Sequence, residues 1–184
     1  MKTLDRDKSL IPNKLLDRKE KEHYYNNLRD SSGKIKDRWN TIQEKEEKIV
    51  RMRLLSISLN ACCYCGKKVQ GSDLDVDHFL PSFEFPYLAY CWENMLPSCK
   101  RCNQALKNDY CPPSLKGKKI IEHCGQNLVT PFDLTYNKNI IYNIANDERL
   151  IDPTFDDVKN HLEFNPEFFF YKAKSDIGKK TIEI

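Results

Sequence analysis

Two cysteine pairs constrain this chain more than any other feature: Cys62 and Cys65 in "CCYCG", and Cys99 and Cys102 in "CKRC". Each pair leaves two residues between its thiols, and 33 residues separate the pairs. That spacing lets both thiolates of a tight turn face one cation, and two such turns complete a tetrahedral four-sulfur zinc site. Any fold of this chain then has to bring residue 62 to residue 102. Cys63 offers a second register for the first pair, but only Cys62 with Cys65 repeats the spacing of the second. Gly66 follows at once, where a positive φ helps turn backbone N–H groups toward the sulfurs. The N-terminus "MKTLDRDKSL" has no apolar leader, so the chain reads as cytoplasmic. In that reducing setting eight cysteines point to metal ligands before disulfides. Cys91, Cys111 and Cys124 are left as core or incidental thiols, with His123-Cys124 a minor metal-binding alternative. The segment between the pairs is rich in loops and poor in large aliphatics, so a bound metal would supply folding free energy that a small core lacks.

Four polar groups fall inside or beside the pairs: Asp77 and His78 in "DVDHFLP", Asn94 in "WENMLP", and Asn103 directly after Cys102. Fifteen residues separate His78 from Asn94, and eight separate Asn94 from Asn103. An isolated Asp-His pair reads as a turn or a cap. The full set fits phosphodiester hydrolysis, which needs a base for water, a cation for the phosphate and leaving oxygen, and a frame to align them. His78 suits the base. Asp77 and the Asn103 amide oxygen are hard ligands for Mg²⁺ or Mn²⁺. "CKRCNQALKND" reads as a helix ending before Pro112, with Lys107 one turn beyond Asn103. Lys107, Lys100 and Arg101 are therefore candidate contacts to a phosphate backbone. One tension is geometric: on a regular strand Asp77 and His78 point to opposite faces, so the strand has to end and the chain bend at Phe79-Leu80-Pro81.

The flanks carry less chemistry. Residues 13–30 are helix-compatible, and from Gly33 to Ile57 apolar residues recur at helical spacing with no proline and no further glycine. Residues 1–57 thus read as a helical arm, 58–125 as the core, and 126–184 as a β-leaning accessory region packed on it. In that last region "NIIYNI", "HLEFNPEFFFYK" and "KKTIEI" read as strands, and Phe168-Phe169-Phe170-Tyr171 as a buried strand. Net charge is only +3, although residues 1–60 hold 15 basic against 10 acidic side chains. No apolar run is long enough to span a bilayer, so no membrane partner is expected. With 40% hydrophobic and 31% charged residues the class is a polar globular α+β protein.

The segments "CCYCG", "DVDHFLP", "WENMLPSC" and "CKRCNQALKND" resemble the HNH endonucleases, the His-Me or ββα-metal finger nucleases, in their four-cysteine zinc form. The resemblance implies a ββα-metal core with a Cys62, Cys65, Cys99 and Cys102 zinc site. It implies that Asp77 and Asn103 bind the catalytic Mg²⁺ or Mn²⁺, that His78 is the general base, and that Asn94 braces the loop between two strands. Asn103 stands where the family name has a histidine. Asp75 matches an acidic position of some members, without an assigned role. A narrower likeness covers residues 60–184, where "HFLPSFEFPYLAYCWENMLPSCKRCN" and "ERLIDPTFDDVKNHLEFNPE" resemble the HNH proteins of Septu-type and retron-associated antiphage systems. It implies a nuclease acting on nucleic acid, DNA before RNA, beside an ABC-type ATPase that gates it. It also implies a chain continuing past "TIEI", and a core or partner-facing place for Tyr87, Tyr90 and Trp92. The competing class is a non-catalytic zinc module that binds nucleic acid or a partner; a transfer-RNA or other RNA substrate is the alternative within the nuclease reading.

Overall fold

A computed structural model of the chain describes residues 1–6, 11–33, 36, 39, 42, 49–117 and 133–184. The centre is a two-stranded antiparallel sheet with one helix on each face. Strand β1 (Leu74–His78) pairs with β2 (Met95–Cys99), Leu74 opposite Cys99 and His78 opposite Met95. The alternation in "LDVDH" sets the two faces. Leu74 and Val76 are buried, while Asp75 and Asp77 point their carboxylates at the segment after Cys99. Pro97 sits in β2, where it cannot donate to a ladder. Its carbonyl instead accepts from the N–H of Cys63 at 2.9 Å, tying the first cysteine turn to the sheet.

Helix α1 (Asn13–Leu16) and helix α2 (Arg18–Asn26) break at Asp17, whose side chain accepts from the N–H groups of Lys19 and Glu20 and so caps α2. Helix α3 (Ile49–Ile57) buries Val50, Leu54 and Ile57 and packs on both central strands. It is the last part of the helix expected from Gly33 to Ile57; most of residues 34–48 lie outside the described residues, as do His123-Cys124 and the expected boundary at residue 125. Helix α4 (Arg101–Lys107) leaves β2 within two residues. It is π-helical, closing with a bond from Asn108 N–H to the Asn103 carbonyl at 2.8 Å. Such wide turns cluster at functional sites.

The C-terminal region corrects two strand expectations. Most of "NIIYNI" lies in helix α5 (Lys138–Tyr142): the Asn137 side chain caps it, and Ile140, Ile141 and Ile144 turn onto the core. "KKTIEI" belongs to helix α7 (Asp176–Glu183), where the Ser175 hydroxyl accepts from Gly178 N–H and overrides β-branched propensity. Helix α6 (Val158–His161) runs into strand β3 (Leu162–Asn165), which pairs with β4 (Phe170–Ala173) in a hairpin, so "HLEFNPEFFFYK" does hold strand as expected. Helix α7 lies so close to the end of α6 that a Cβ on Gly178 would meet the His161 carbonyl oxygen at 2.1 Å. The aromatic run is not a buried strand. Phe168 and Phe169 are 66% and 82% exposed, and Phe169 adopts φ 53° at the hairpin turn. A two-stranded hairpin packs only one face, and here Leu162 and Tyr171 carry that face.

The first residues bond both to the first cysteine turn and to the C-terminal region. Lys2 N–H donates to the Cys63 carbonyl at 3.2 Å and Leu4 N–H to the Pro153 carbonyl at 2.7 Å. No helix among the described residues is long and apolar enough to cross a membrane.

Candidate active site and metal centre

The sulfurs of Cys62, Cys65, Cys99 and Cys102 lie within 4.8 Å of one another, with Cys65 and Cys99 at 3.9 Å. A tetrahedron with metal–sulfur bonds of about 2.3 Å has sulfur–sulfur edges of about 3.8 Å, so these thiols fit one tetrahedral ion. Gly66, at φ +77°, closes the first turn, its N–H donating to the Cys62 carbonyl at 2.9 Å. A hydrogen bond from Cys102 and backbone donors hold the Cys62 thiol down at about 4, while Cys102 is driven up by that same contact and by burial. Cys63 is buried apart from the cluster, and burial raises its thiol. Cys91 is likewise a buried core thiol, its Sγ donating to the Leu134 carbonyl at 3.2 Å.

At the other end of the sheet a cleft of about 210 Å³ is lined by Val76, Asp77, His78, Asn103, Gln104 and Asn108, among others. Asp77 and His78 thus reach one cleft although they lie on opposite strand faces, because His78 is the last residue of β1. His78 Nε2 lies 2.7 Å from the carbonyl oxygen of Ala89. A carbonyl only accepts, so Nε2 carries the proton and Nδ1 is the acceptor nitrogen. Asn103 donates its amide to Asp75 Oδ2 at 3.2 Å, which leaves Oδ1 as the atom it offers the cleft. Gln104 donates to the same Asp75 oxygen at 2.7 Å.

Asp77 is 3% exposed. Its Oδ1 accepts from Lys107 Nζ at 2.9 Å and its Oδ2 from the Tyr64 hydroxyl. Burial pushes the Asp77 carboxyl above its ordinary range, while Lys107 and Tyr64 pull it down. Each carboxylate oxygen has two acceptor sites, so one on each is left beyond these bonds. A carboxylate, an amide oxygen and room for water are the donor chemistry of Mg²⁺ or Mn²⁺.

Asn94 is fully buried in the loop joining the strands. Its Oδ1 accepts from Leu80 N–H at 2.9 Å, and its amide donates to the carbonyls of Leu80 and Leu88 at 3.0 and 3.2 Å. It makes no approach to the cleft; it holds the turn that carries Ala89.

Lys107 departs from expectation. Its side chain is buried against Asp77 and the His78 carbonyl, the latter at 2.7 Å, so it is an internal brace and not a contact to a phosphate backbone. Lys100 and Arg101 are exposed, as such a contact requires.

Three residues matter that sequence reasoning passed over or left without a role. Tyr64 lies inside the first cysteine turn yet reaches Asp77. Asp75 orients Asn103. Arg6 donates to the carbonyls of Trp92, Glu93 and Met95, which bracket Asn94, and to Thr154 Oγ1, with its guanidinium over the Trp92 ring. Burial lowers the Arg6 guanidinium to about 10, opposed by Asp152 and Glu93. Only the Asp75 signal, an acid two positions before Asp77, stood in the sequence.

Residues 62–109 match the family model described as HNH endonuclease. The β1–β2–α4 unit with its four-cysteine metal site is thus an HNH domain. Among curated proteins the chain is similar to the Septu protein PtuB of Bacillus thuringiensis, 30% identical over 138 residues, which cover 73% of this chain and 39% of that protein. It is also similar to the Septu protein PtuB of Bacillus mycoides (strain KBAB4), 26% identical over 141 residues, covering 67% of this chain and 41% of the relative. The chain spans about two fifths of the length of these curated relatives. No solved structure matches it.

Proposed function

We propose that this chain is a metal-dependent endonuclease that hydrolyses phosphodiester bonds, acting on DNA before RNA, in the cytoplasm. The observation that carries the reading is the cleft itself. An imidazole with its proton held at Nε2 stands beside a buried carboxylate and an oriented amide oxygen. In this reading His78 Nδ1 takes a proton from the attacking water. The Ala89 carbonyl steadies the positive ring that results. Asp77 and Asn103 hold Mg²⁺ or Mn²⁺, which when bound neutralises charge on the phosphate and the leaving oxygen. The four-cysteine site holds structural zinc. Lys100 and Arg101 meet phosphates, and such contacts carry no base information, so cleavage has little sequence preference.

The similarity to two Septu proteins supports an antiphage role, with the nuclease working beside an ABC-type ATPase that gates it. The test is cleavage of plasmid DNA and of RNA with Mg²⁺ or Mn²⁺, by wild type and by His78→Ala. Loss of a positioned base lowers the rate by about 10²–10⁴-fold. Equal cleavage by both chains refutes the assignment, and cleavage of RNA alone corrects the substrate. Affinity purification from the native host, with mass spectrometry, tests the partner; absence of an ATPase removes it.

A further inference from the structure

We propose that Tyr64 and Lys107 are positioning residues that aim the Asp77 carboxylate into the cleft, so that the four-sulfur centre and the cleft form one mechanical unit. The inference rests on the endonuclease reading for what the cleft does, but its geometry stands apart from it.

Tyr64 lies between Cys62 and Cys65, inside the first metal-binding turn, and Lys107 is the last residue of α4, five positions beyond Cys102. Each therefore moves with a pair of sulfurs. From opposite sides they bind the two different oxygens of one carboxylate. A carboxylate held by a single donor can still turn about its χ angles. Two donors on separate oxygens fix its plane, and with it the direction of the acceptor sites left over. Lys107 adds a second constraint, because the same ammonium binds the His78 carbonyl at 2.7 Å and so sets the Asp77–His78 backbone. The Ser98 hydroxyl, 3.8 Å from Cys62 Sγ, and the Cys63 bond to Pro97 carry the first turn onto β2. Losing the four-sulfur metal releases both grips on Asp77 together. A bland alternative is that Tyr64 and Lys107 only satisfy a buried charge, one by a hydrogen bond and the other as its counter-ion. In that case their removal lowers stability and leaves the affinity of the cleft for a cation unchanged.

The full chain, loaded with zinc, separates the two. Tyr64→Phe removes one hydroxyl, Lys107→Met removes the ammonium, and Tyr110→Phe is the control, since its hydroxyl bonds the Glu148 carbonyl elsewhere. The readouts are zinc per chain, thermal unfolding, Mn²⁺ binding by paramagnetic resonance, and kcat and KM separately. Tyr64→Phe is expected to keep its zinc, while its Mn²⁺ dissociation constant rises and its kcat falls by about 10-fold or more, with KM within about 2-fold, the scale for partners of metal ligands. Tyr110→Phe matches wild type. Mn²⁺ affinity and kcat of Tyr64→Phe both within about 2-fold of wild type, with zinc retained, overturn the proposal. If Lys107→Met fails to fold, Tyr64→Phe alone decides. Weakened Mn²⁺ binding where no chain cleaves any nucleic acid upholds the positioning and refutes the endonuclease reading. A wild type that binds no Mn²⁺ overturns both.

Discussion

Replacing Asn94 with alanine removes three hydrogen bonds from a fully buried site, and the structure says which of them matter. The Leu88 carbonyl keeps a second partner, the N–H of Cys91 at 3.1 Å. The N–H and the carbonyl of Leu80 have Asn94 as the partner that fixes them. Each buried polar group left unpaired costs about 1–3 kcal/mol, so two of them, with a small void, come to about 3 kcal/mol. For a chain of this size 1 kcal/mol moves the melting temperature by about 2–4 °C, giving a drop of roughly 6–12 °C. The assay is thermal unfolding of zinc-loaded wild type and Asn94→Ala at matched concentration. Because the turn also carries Ala89, the partner of His78, nucleolytic kcat should fall with stability. A melting temperature within about 3 °C of wild type, equivalent to less than about 1 kcal/mol, refutes the accounting of orphaned groups.

Wild type is expected to bind about one zinc per chain, and Cys99→Ser to lose the metal and the folded state together. Elemental analysis with circular dichroism checks this, and a folded, zinc-retaining Cys99→Ser argues against a structural centre. Burial pushes the Asp152 carboxyl up to about 6, with the Tyr136 hydroxyl and the Thr154 N–H pulling against it. In the unfolded chain the group titrates near 4. The folded state holds the proton more tightly, so this residue favours folding below about pH 4 and loses that contribution as pH rises through about 6. The stability of wild type minus that of Asp152→Asn should therefore fall between pH 4 and 7; a flat difference sinks the assignment.

The four-cysteine cluster was legible because its geometry is written locally: two residues between thiols force a turn, and a glycine marks where it closes. The cleft was legible only as a list of atoms. Nothing in the spacing of residues 64, 77 and 107 announces that they meet, since a hydrogen bond spanning 13 or 30 positions leaves no period in the sequence. Lys107 was misplaced for that reason: a lysine late in a helix defaults to solvent, and only the packing of α4 on β1 turns it inward. In the C-terminal region isoleucine-rich runs suggested strands, yet the capping side chains Asn137 and Ser175 were present and outweighed β-propensity. Phe168 and Phe169 erred the other way. Aromatic content predicted a buried strand, but Phe168 and Phe169 lie exposed at a hairpin turn, since burial depends on whether anything covers the apex.

The grip of Arg6 has a consequence in time. Its acceptors lie at residues 92, 93, 95 and 154, so its last partner stands 148 positions further along the chain. Chains emerge from the ribosome N-terminus first. The turn that carries Asn94 can therefore be fully tethered only once residue 154 has been synthesised. A polypeptide interrupted after the second cysteine pair would already contain Asp77, His78 and Asn103, but not the complete clasp that secures the loop between their strands. Contacts of such long range also form slowly. The order of the residues along the chain thus places completion of the cleft's frame well after the cleft residues themselves.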